Sequence, residues 1–282
     1  MELGYDHGLY AVRLEHRGAD ALDADAARVV LTGVRQVAAA GSAAAPDELG
    51  VLVDGDMLPD LAAEVTGEPL QLVLPVSDEG GAFRLAPGDD FGAYVDRFSP
   101  RIVEVELRWG PDVDPEVKKT QALDLTRLSA WLHETDRALL VDIDVPGTDD
   151  LDAGDERTQH VLRAAREVRE IGVEPDLWAL PGPRDVEEAN AVSGLVRDAG
   201  RDHVHVLVRD EPGGAAGDPL RSLRHAASVG AYRGFVLGPS IWSDVLAQRR
   251  SGALDDDAAA TAVAERLRQA IAAMQGDAVT DA

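Results

Sequence analysis

The 282-residue sequence contains no cysteine, and only two of its 27 basic residues are lysines, Lys118 and Lys119. Without cysteine the chain has neither disulfides nor thiolate chemistry, and nothing indicates an oxidising compartment. Both lysines fall on what we predict to be the exposed first turns of a helix, in the pattern DPEVKKTQALDLTRLSAWLHE. The scarcity of amines therefore limits the chemistry that the chain can perform.

The sequence also lacks a surplus of basic residues, and it lacks long apolar runs. The formal net charge is −25, which argues against a nucleic-acid partner, because that affinity comes mainly from Lys and Arg on phosphates. No stretch approaches the roughly 20 apolar residues that a membrane span requires. The first residues, MELGYDHGLY, lack the basic start and apolar run of a secretory signal, so we expect a cytoplasmic protein.

Short runs rich in Val, Leu and Ile alternate with segments of helical periodicity, which is typical of strands buried on both faces between covering helices. The predicted strands are Leu9–Leu14, Val51–Asp54, Leu70–Val76, Ile102–Arg108, Ala138–Val145, Asp176–Leu180, Val204–Arg209 and Gly234–Leu237. The predicted helices are Asp25–Ala39, Leu58–Val65, Phe91–Phe98, Pro115–His133, Arg157–Ile171, Asp185–Asp198, Leu220–Ser228, Ile241–Arg249 and Asp257–Met274. Eight alternations favour an α/β fold of the (β/α)₈ TIM-barrel class over an open doubly wound sheet. We expect one domain over residues 1–282, with a C-terminal helix at about 257–274 and a frayed tail.

Five segments, in order, resemble a known family: GYDHGLYAVRLEHRG, GDDFGAYVDRFSP with the strand after it, RLSAWLHETDRALLVDIDVP, REIGVEPDLWALPG and GFVLGPSIWSDVLAQRRSG. The similarity is to the aldolase-like domain fused to the sugar kinase of bacterial myo-inositol catabolism, and it covers roughly residues 4–274. That domain is similar to tagatose-bisphosphate aldolases. The resemblance implies a class I aldolase barrel that cleaves a phosphorylated keto-deoxy-gluconate through a lysine imine.

The sequence departs from this family at the residues that carry the chemistry. The position of the imine-forming lysine is Ala179, and Glu104 stands where relatives tend to have a lysine. The Glu-Lys after strand three is Ser77-Asp78, and the Gly-Arg suited to a phosphate after strand eight is Gly238-Pro239. An imine requires a primary amine in the pocket. We therefore expect no imine chemistry and a weaker case for a phosphorylated substrate.

Polar residues gather at the predicted ends of the strands. Because side chains alternate, Glu104, Glu106 and Arg108 share one face of strand four, and Asp142 and Asp144 share one face of strand five. Further candidates at the strand ends are Glu15, His16, Arg17, Asp54, Asp78, Arg209 and Ser240. We predict catalytic roles for Glu104, Asp142, His16 and Arg108, and substrate-binding roles for Glu15, Arg17, Asp54, Asp78, Arg209 and Ser240.

Four interpretations of the acidic cluster stay open. Glu104, Glu106, Asp142 and Asp144 could hold a divalent cation such as Mg²⁺ or Mn²⁺. They could instead work as general acids and bases with His16 as proton carrier. They could also bind a cationic substrate such as an amino sugar or aminocyclitol. In the fourth interpretation, Glu104, Arg108 and Asp142 are a satisfied ion-pair network in an inactive barrel.

The function predicted from the sequence is that of a divergent aldolase-family lyase acting on a carbohydrate or cyclitol-type substrate without an imine. The alternative is a non-catalytic barrel that binds a sugar or a partner protein. We expect the partner to be a carbohydrate-like small molecule. No cofactor is required beyond the divalent metal considered above. A homo-oligomer is possible, since barrels of this kind often self-associate. The sequence identifies neither the substrate nor the pathway.

Overall fold

A computed structural model of the protein describes residues 5, 7–14, 22–41, 43–53, 57–65, 70–77, 83–85, 88–145, 155–210 and 219–276. Eight parallel strands close into a barrel in sequence order. They are β1 (Leu9–Leu14), β2 (Leu49–Val53), β3 (Gln71–Pro75), β4 (Ile102–Arg108), β5 (Ala138–Asp144), β6 (Leu177–Pro181), β7 (His205–Arg209) and β8 (Tyr232–Leu237). The predicted TIM barrel is confirmed, and the open sheet is wrong.

Helices follow each strand and cover the outside of the barrel. They are α1 (Ala24–Ala40), α2 (Leu58–Val65), α3 (Phe91–Phe98), α4 (Pro115–Glu134), α5 (Asp155–Glu170), α6 (Val186–Val196), α7 (Pro219–Ala227), α8 (Pro239–Arg250) and α9 (Asp256–Gln275). Short 3₁₀ turns occur at Pro46–Glu48 and Gly88–Asp90. The predicted C-terminal helix corresponds to α9, which packs against α1, α7 and α8. Residues 277–282, where we expected a frayed tail, lie outside the described residues.

Two boundaries near the end of the barrel differ from the prediction. Helix α8 begins at Pro239, two residues before the predicted start. A proline is favourable at the first helical position, because the backbone N–H that it lacks would have no partner within the helix. Strand β8 begins at Tyr232 rather than Gly234. Gly234 has a φ of +146°, and a Cβ there would lie 1.9 Å from the carbonyl oxygen of Leu9. This glycine lets β8 and β1 approach closely where the barrel closes.

The core has two layers, as expected for a barrel whose interior is filled by side chains. Inward-facing residues form an inner cluster: Tyr5, Leu9, Ala11, Leu52, Val73, Ile102, Leu140, Leu177, Ala179, Leu207 and Val236. The outward faces of the strands pack against the helices in a larger cluster. Within the described ranges, no helix is both long enough and apolar enough to cross a membrane.

Candidate functional site

The inner apolar cluster gives way to charged side chains toward the carboxyl ends of the strands. Arg13 is two residues beyond Ala11 on β1, and Arg209 is two residues beyond Leu207 on β7. Glu104 follows Ile102 on β4, and Asp142 follows Leu140 on β5, with the same spacing. Since alternate residues share a face, these four side chains point into the barrel directly above the apolar layer. This is the end at which active sites of TIM barrels lie.

The four charged residues form one connected ion-pair network. One guanidinium nitrogen of Arg13 lies 2.6 Å from Oδ2 of Asp142 and 3.2 Å from Oε1 of Glu104. NH1 of Arg209 lies 2.7 Å from Oδ1 of Asp142. The side chains of Glu104 and Asp142 are only 3% and 2% exposed. We refer to Glu104, Arg13, Asp142 and Arg209 as the buried network.

Arg209 is held by several further groups. Its NH1 also donates to the carbonyl oxygen of Ile143 at 3.0 Å, and its Nε donates to the carbonyl oxygen of Asp210 at 3.3 Å. Burial lowers the pKa of Arg209, but the nearby carboxylates of Asp142 and Glu106 outweigh it, so the pKa is raised above the ordinary arginine value. The guanidinium is therefore a permanent and oriented positive charge.

The next residues toward solvent are less constrained. Glu106 is half-buried and lies beside Asp142 in the strand register. Within the described residues, its carboxylate has no hydrogen bond or ion pair at contact distance, although its charge acts on Arg209. Asp144 is 37% exposed, and its Oδ1 lies 3.9 Å from NH2 of Arg209. Among the described residues, NH2 of Arg209 has no closer polar partner than this oxygen.

Arg108 is exposed at the end of β4 and takes no part in the buried network. The fourth interpretation expected Arg108 in that network; the structure has Arg13 and Arg209 there instead. The reason is that β4 ends at Arg108, where the barrel opens to solvent. The backbone of Arg108 is nevertheless fixed, because Gln121 on α4 accepts from its N–H at 3.2 Å and donates to its carbonyl oxygen at 2.8 Å.

The sequence placed five further candidates in segments outside the described residues: Glu15, His16, Arg17, Asp54 and Asp78. Their predicted roles stay predictions. Among the residues that the structure does describe, no three His, Cys, Asp or Glu side chains form a group that could hold a metal ion. Glu104 and Asp142 are neutralised by guanidinium groups instead, so these donors do not fit Mg²⁺ or Mn²⁺.

The start of α8 meets the end of β7 at the same face of the barrel. Oδ2 of Asp210 accepts from the backbone N–H of Gly238 at 2.7 Å and from that of Ser240 at 3.1 Å. Trp242, one turn further, donates from Nε1 to the carbonyl oxygen of Arg13 at 3.0 Å. The first turn of α8 is thus joined both to Asp210 and to the strand that carries the buried network. The hydroxyl of Ser240 is buried and has no hydrogen-bond partner within the described residues.

Both lysines lie on α4, outside the strands. Nζ of Lys118 is 2.9 Å from Oε2 of Glu167 and stacks over the ring of Trp109. Nζ of Lys119 pairs with Glu116 one turn away at 3.5 Å and is largely exposed. On β6, Ala179 is a fully buried member of the inner cluster and lies beside Asp142 in the strand register.

Sequence reasoning missed two residues of this region. Arg13 was detectable, because an arginine inside the otherwise apolar strand LYAVRL shares the face of Leu9 and Ala11. Asp210 carried a weaker signal, which was only its position directly after Arg209 at the end of a strand. The side chains that these two residues bind lie on distant parts of the chain, so sequence patterns could not give the contacts.

Comparison with solved structures supports the same fold. The chain is similar to an archaeal fructose-1,6-bisphosphate aldolase with the catalytic Lys covalently bound to the carbinolamine intermediate of its substrate, with 16% identity, a TM-score of 0.58, and coverage of 93% of this chain and 95% of the other. It is similar to Cgl0159 from Corynebacterium glutamicum, with 16% identity, a TM-score of 0.62, and coverage of 94% and 87%. It is also similar to fructose-bisphosphate aldolase from Plasmodium falciparum, with 11% identity, a TM-score of 0.64, and coverage of 98% and 92%. At such identities the likeness establishes an aldolase-like barrel fold.

Comparison with curated proteins and with family models gives one further result. No curated protein sequence gives a significant match. The model of the DUF2090 family, described as an uncharacterized protein conserved in bacteria, matches residues 2–277, which is nearly the whole chain. The chain therefore belongs to the DUF2090 family.

Proposed function

We propose that this protein is an aldolase-type lyase that cleaves a carbohydrate or cyclitol-type substrate without forming an imine. The observation that carries the proposal is the arrangement of Arg209, which is fixed by Asp142 through NH1, has its NH2 group 3.9 Å from the carboxylate of Asp144, and feels the charge of the half-buried Glu106. Breaking a carbon–carbon bond next to a carbonyl group requires a base and a group that stabilises negative charge on the carbonyl oxygen. A carboxylate beside a fixed cation provides both. The resemblance to the inositol-catabolism aldolases supports the choice of substrate class.

The case against an imine rests on the positions of the amines. The archaeal aldolase to which the chain is similar uses a catalytic lysine bound to its substrate. Here Lys118 and Lys119 are on α4 and pair with Glu167 and Glu116. A guanidinium cannot replace them, because arginine stays protonated at all ordinary pH values and is not a nucleophile. Another group must therefore accept the electrons that an imine would accept.

In the proposed cleavage, Glu106 removes the proton from the substrate hydroxyl next to the scissile bond. The carbon–carbon bond breaks, its electron pair moves toward the substrate carbonyl, and the carbonyl oxygen becomes an enolate oxygen. Arg209 stabilises that oxygen through NH2, because an oriented cation in a partly dry site favours developing negative charge. Glu106 then returns its proton to the enolate carbon, and two carbonyl-containing products leave.

The buried network has a supporting role in this proposal. Asp142 holds the two guanidiniums of Arg13 and Arg209 on its two oxygens, and Glu104 contacts the same nitrogen of Arg13 as Asp142 does. Since Glu104 is already paired and almost fully buried, we assign the base to Glu106, one step nearer the solvent. The proton-carrier role predicted for His16, the substrate-binding role predicted for Arg17 and the catalytic role predicted for Arg108 remain part of the proposal. Cytoplasmic location and self-association remain predictions.

A second function is favoured by one observation. Both oxygens of Asp142 are taken by arginines, so Asp142 cannot accept a proton or a metal without breaking the buried network. Such full pairing also suits a barrel that binds a sugar without converting it.

The experiment that separates the two functions begins with a thermal-shift screen of unphosphorylated keto-sugars, cyclitols and their phosphates. Ligands that bind the folded state raise Tm by mass action. For each ligand that does so, turnover is measured in the wild type, Glu106→Gln and Glu104→Gln. The lyase proposal expects turnover that falls by about 100-fold or more in Glu106→Gln, as for loss of a general base. Turnover unchanged in Glu106→Gln contradicts the assignment of the base; ligands that bind without turnover favour the binding protein.

A further inference from the structure

Asp210 supplies a negative charge to the start of helix α8, whose own first turn has none. Helix α8 has no acidic residue in its first turn, and Pro239 at its first position has no N–H. The two N–H groups nearest its start belong to Gly238 and Ser240, and both donate to the same oxygen of Asp210. The carboxylate reaches them from the end of β7, which is 28 and 30 residues earlier in the sequence.

In TIM barrels, the loops after strands seven and eight and a nearby helix start frequently form a phosphate site. The physical basis is that the free N–H groups and the dipole of a helix N-terminus attract anions. In this protein Asp210 occupies both N–H groups. A phosphate would have to displace that carboxylate or lie against it, and like charges at contact repel strongly in a partly buried site.

We propose that Asp210 is a specificity-determining residue that excludes phosphate from the start of α8. The part of the substrate bound here is then an uncharged, hydroxylated end. This inference adds a substrate preference to the proposed function, and it rests on that function for the existence of a substrate. The exclusion of phosphate by Asp210 is a property of binding and can be measured without turnover.

The surroundings of Asp210 support exclusion rather than recognition of phosphate. The neighbouring guanidinium of Arg209 is directed at Asp142, and that of Arg13 at Asp142 and Glu104. A Cβ placed on Gly238 would lie 3.4 Å from the carbonyl oxygen of Arg13, so β1 is in ordinary van der Waals contact with the start of α8 on that side. The ion pairs of both guanidiniums are thus made with carboxylates of the buried network and not with a group at the start of α8.

The test compares the binding of inorganic phosphate to the wild type, Asp210→Ala and Asp210→Asn. Binding is measured by calorimetry and by the backbone amide resonance of Gly238 in protein labelled with ¹⁵N-glycine. The alanine variant frees both N–H groups, and we expect it to bind phosphate at least about tenfold more tightly than the wild type, with a shift of the Gly238 resonance. The asparagine variant keeps a hydrogen-bond acceptor but loses the charge, so we expect a smaller gain of about threefold.

Asp255→Ala is the matched control. Asp255 caps α9 by accepting from the N–H of Ala258 at 2.8 Å, away from the barrel interior, and its removal should give no gain in phosphate binding. The proposal is overturned if neither Asp210 variant gains affinity, if Asp255→Ala gains as much, or if phosphate already shifts the Gly238 resonance of the wild type. The asparagine variant keeps the test decisive if the alanine variant does not fold. A gain confined to the Asp210 variants supports the inference even where the turnover experiments above fail.

Discussion

Arg13 donates to Asp142 across the barrel at 2.6 Å, although the two residues are 129 positions apart in the sequence. The pair is nearly dry, since the side chains are 14% and 2% exposed. Removing two charges from water costs several kcal/mol for each ion, and only close pairing offsets that cost. The second guanidinium on the same carboxylate, from Arg209, makes Asp142 the residue on which the geometry of the site depends.

Replacing Asp142 by Asn is therefore expected to lower the free energy of unfolding by about 3 kcal/mol or more, because it leaves Arg13 and Arg209 buried without their shared carboxylate. Urea denaturation at neutral pH measures the loss. Asp144→Asn is the matched control. Its side chain is 37% exposed and 3.9 Å from Arg209, so its loss should stay below about 1 kcal/mol. Equal losses in the two variants would mean that the buried network is not what stabilises this end of the barrel.

The sequence was sufficient to predict the barrel because each strand and helix carries a local signal. It also placed Glu104 with Arg108 on one face of β4 and Asp142 with Asp144 on one face of β5, which follows from alternation, but alternation does not tell whether that face points inward. Pairing could not be predicted in the same way, since Glu104 meets Arg13 across 91 positions and Asp142 meets Arg209 across 67. For Arg108, alternation predicts the face of β4 on which the side chain lies, but it does not predict that the side chain is exposed. Its exposure depends on where the strand ends.

A lysine-free variant tests the absence of an imine. We expect Lys118→Arg combined with Lys119→Arg to fold and to keep the turnover of the wild type, because arginine preserves the charge beside Glu167 and Glu116. Treatment of the wild type with a keto-sugar and borohydride should leave no adduct on either lysine by mass spectrometry. An adduct on Lys118 or Lys119 that disappears together with activity in the double variant would overturn the proposed mechanism.

Gln121 is expected to be a positioning residue for the end of β4. It is fully buried, and besides both backbone groups of Arg108 it accepts from the N–H of Phe83 at 2.9 Å. Gln121→Ala leaves these groups without partners and should cost about 3 kcal/mol of unfolding free energy. Hydrogen exchange should accelerate most at the amides of Phe83 and Arg108.

The matched control for Gln121 is Asn190→Ala. Asn190 also makes a side-chain amide hydrogen bond, to the carbonyl oxygen of Val186, but on the exposed surface of α6. We expect a change within about 0.5 kcal/mol. A loss in Gln121→Ala no larger than in this control, with unchanged exchange at Arg108, would show that β4 is held by other contacts.

The carboxyl group of Asp176, directly before β6, should make stability depend on pH. Burial raises its pKa, although the N–H of Leu139 donates to it at 2.8 Å and partly offsets that effect. A raised pKa in the folded state means that the stability contributed by the group is fully present below its unfolded pKa, near 3.9, and is lost as the pH rises through the folded value. Asn resembles the protonated acid and does not titrate, so Asp176→Asn should be more stable than the wild type at pH 7, and this difference in stability should narrow as the pH falls.

The control is Asp256→Asn, because the hydrogen bond from Arg249 lowers the pKa of Asp256, so the stability difference should have the opposite sign. Denaturant titrations from pH 7 downward measure both series, and a gap for Asp176→Asn that widens toward acid would contradict the role of burial.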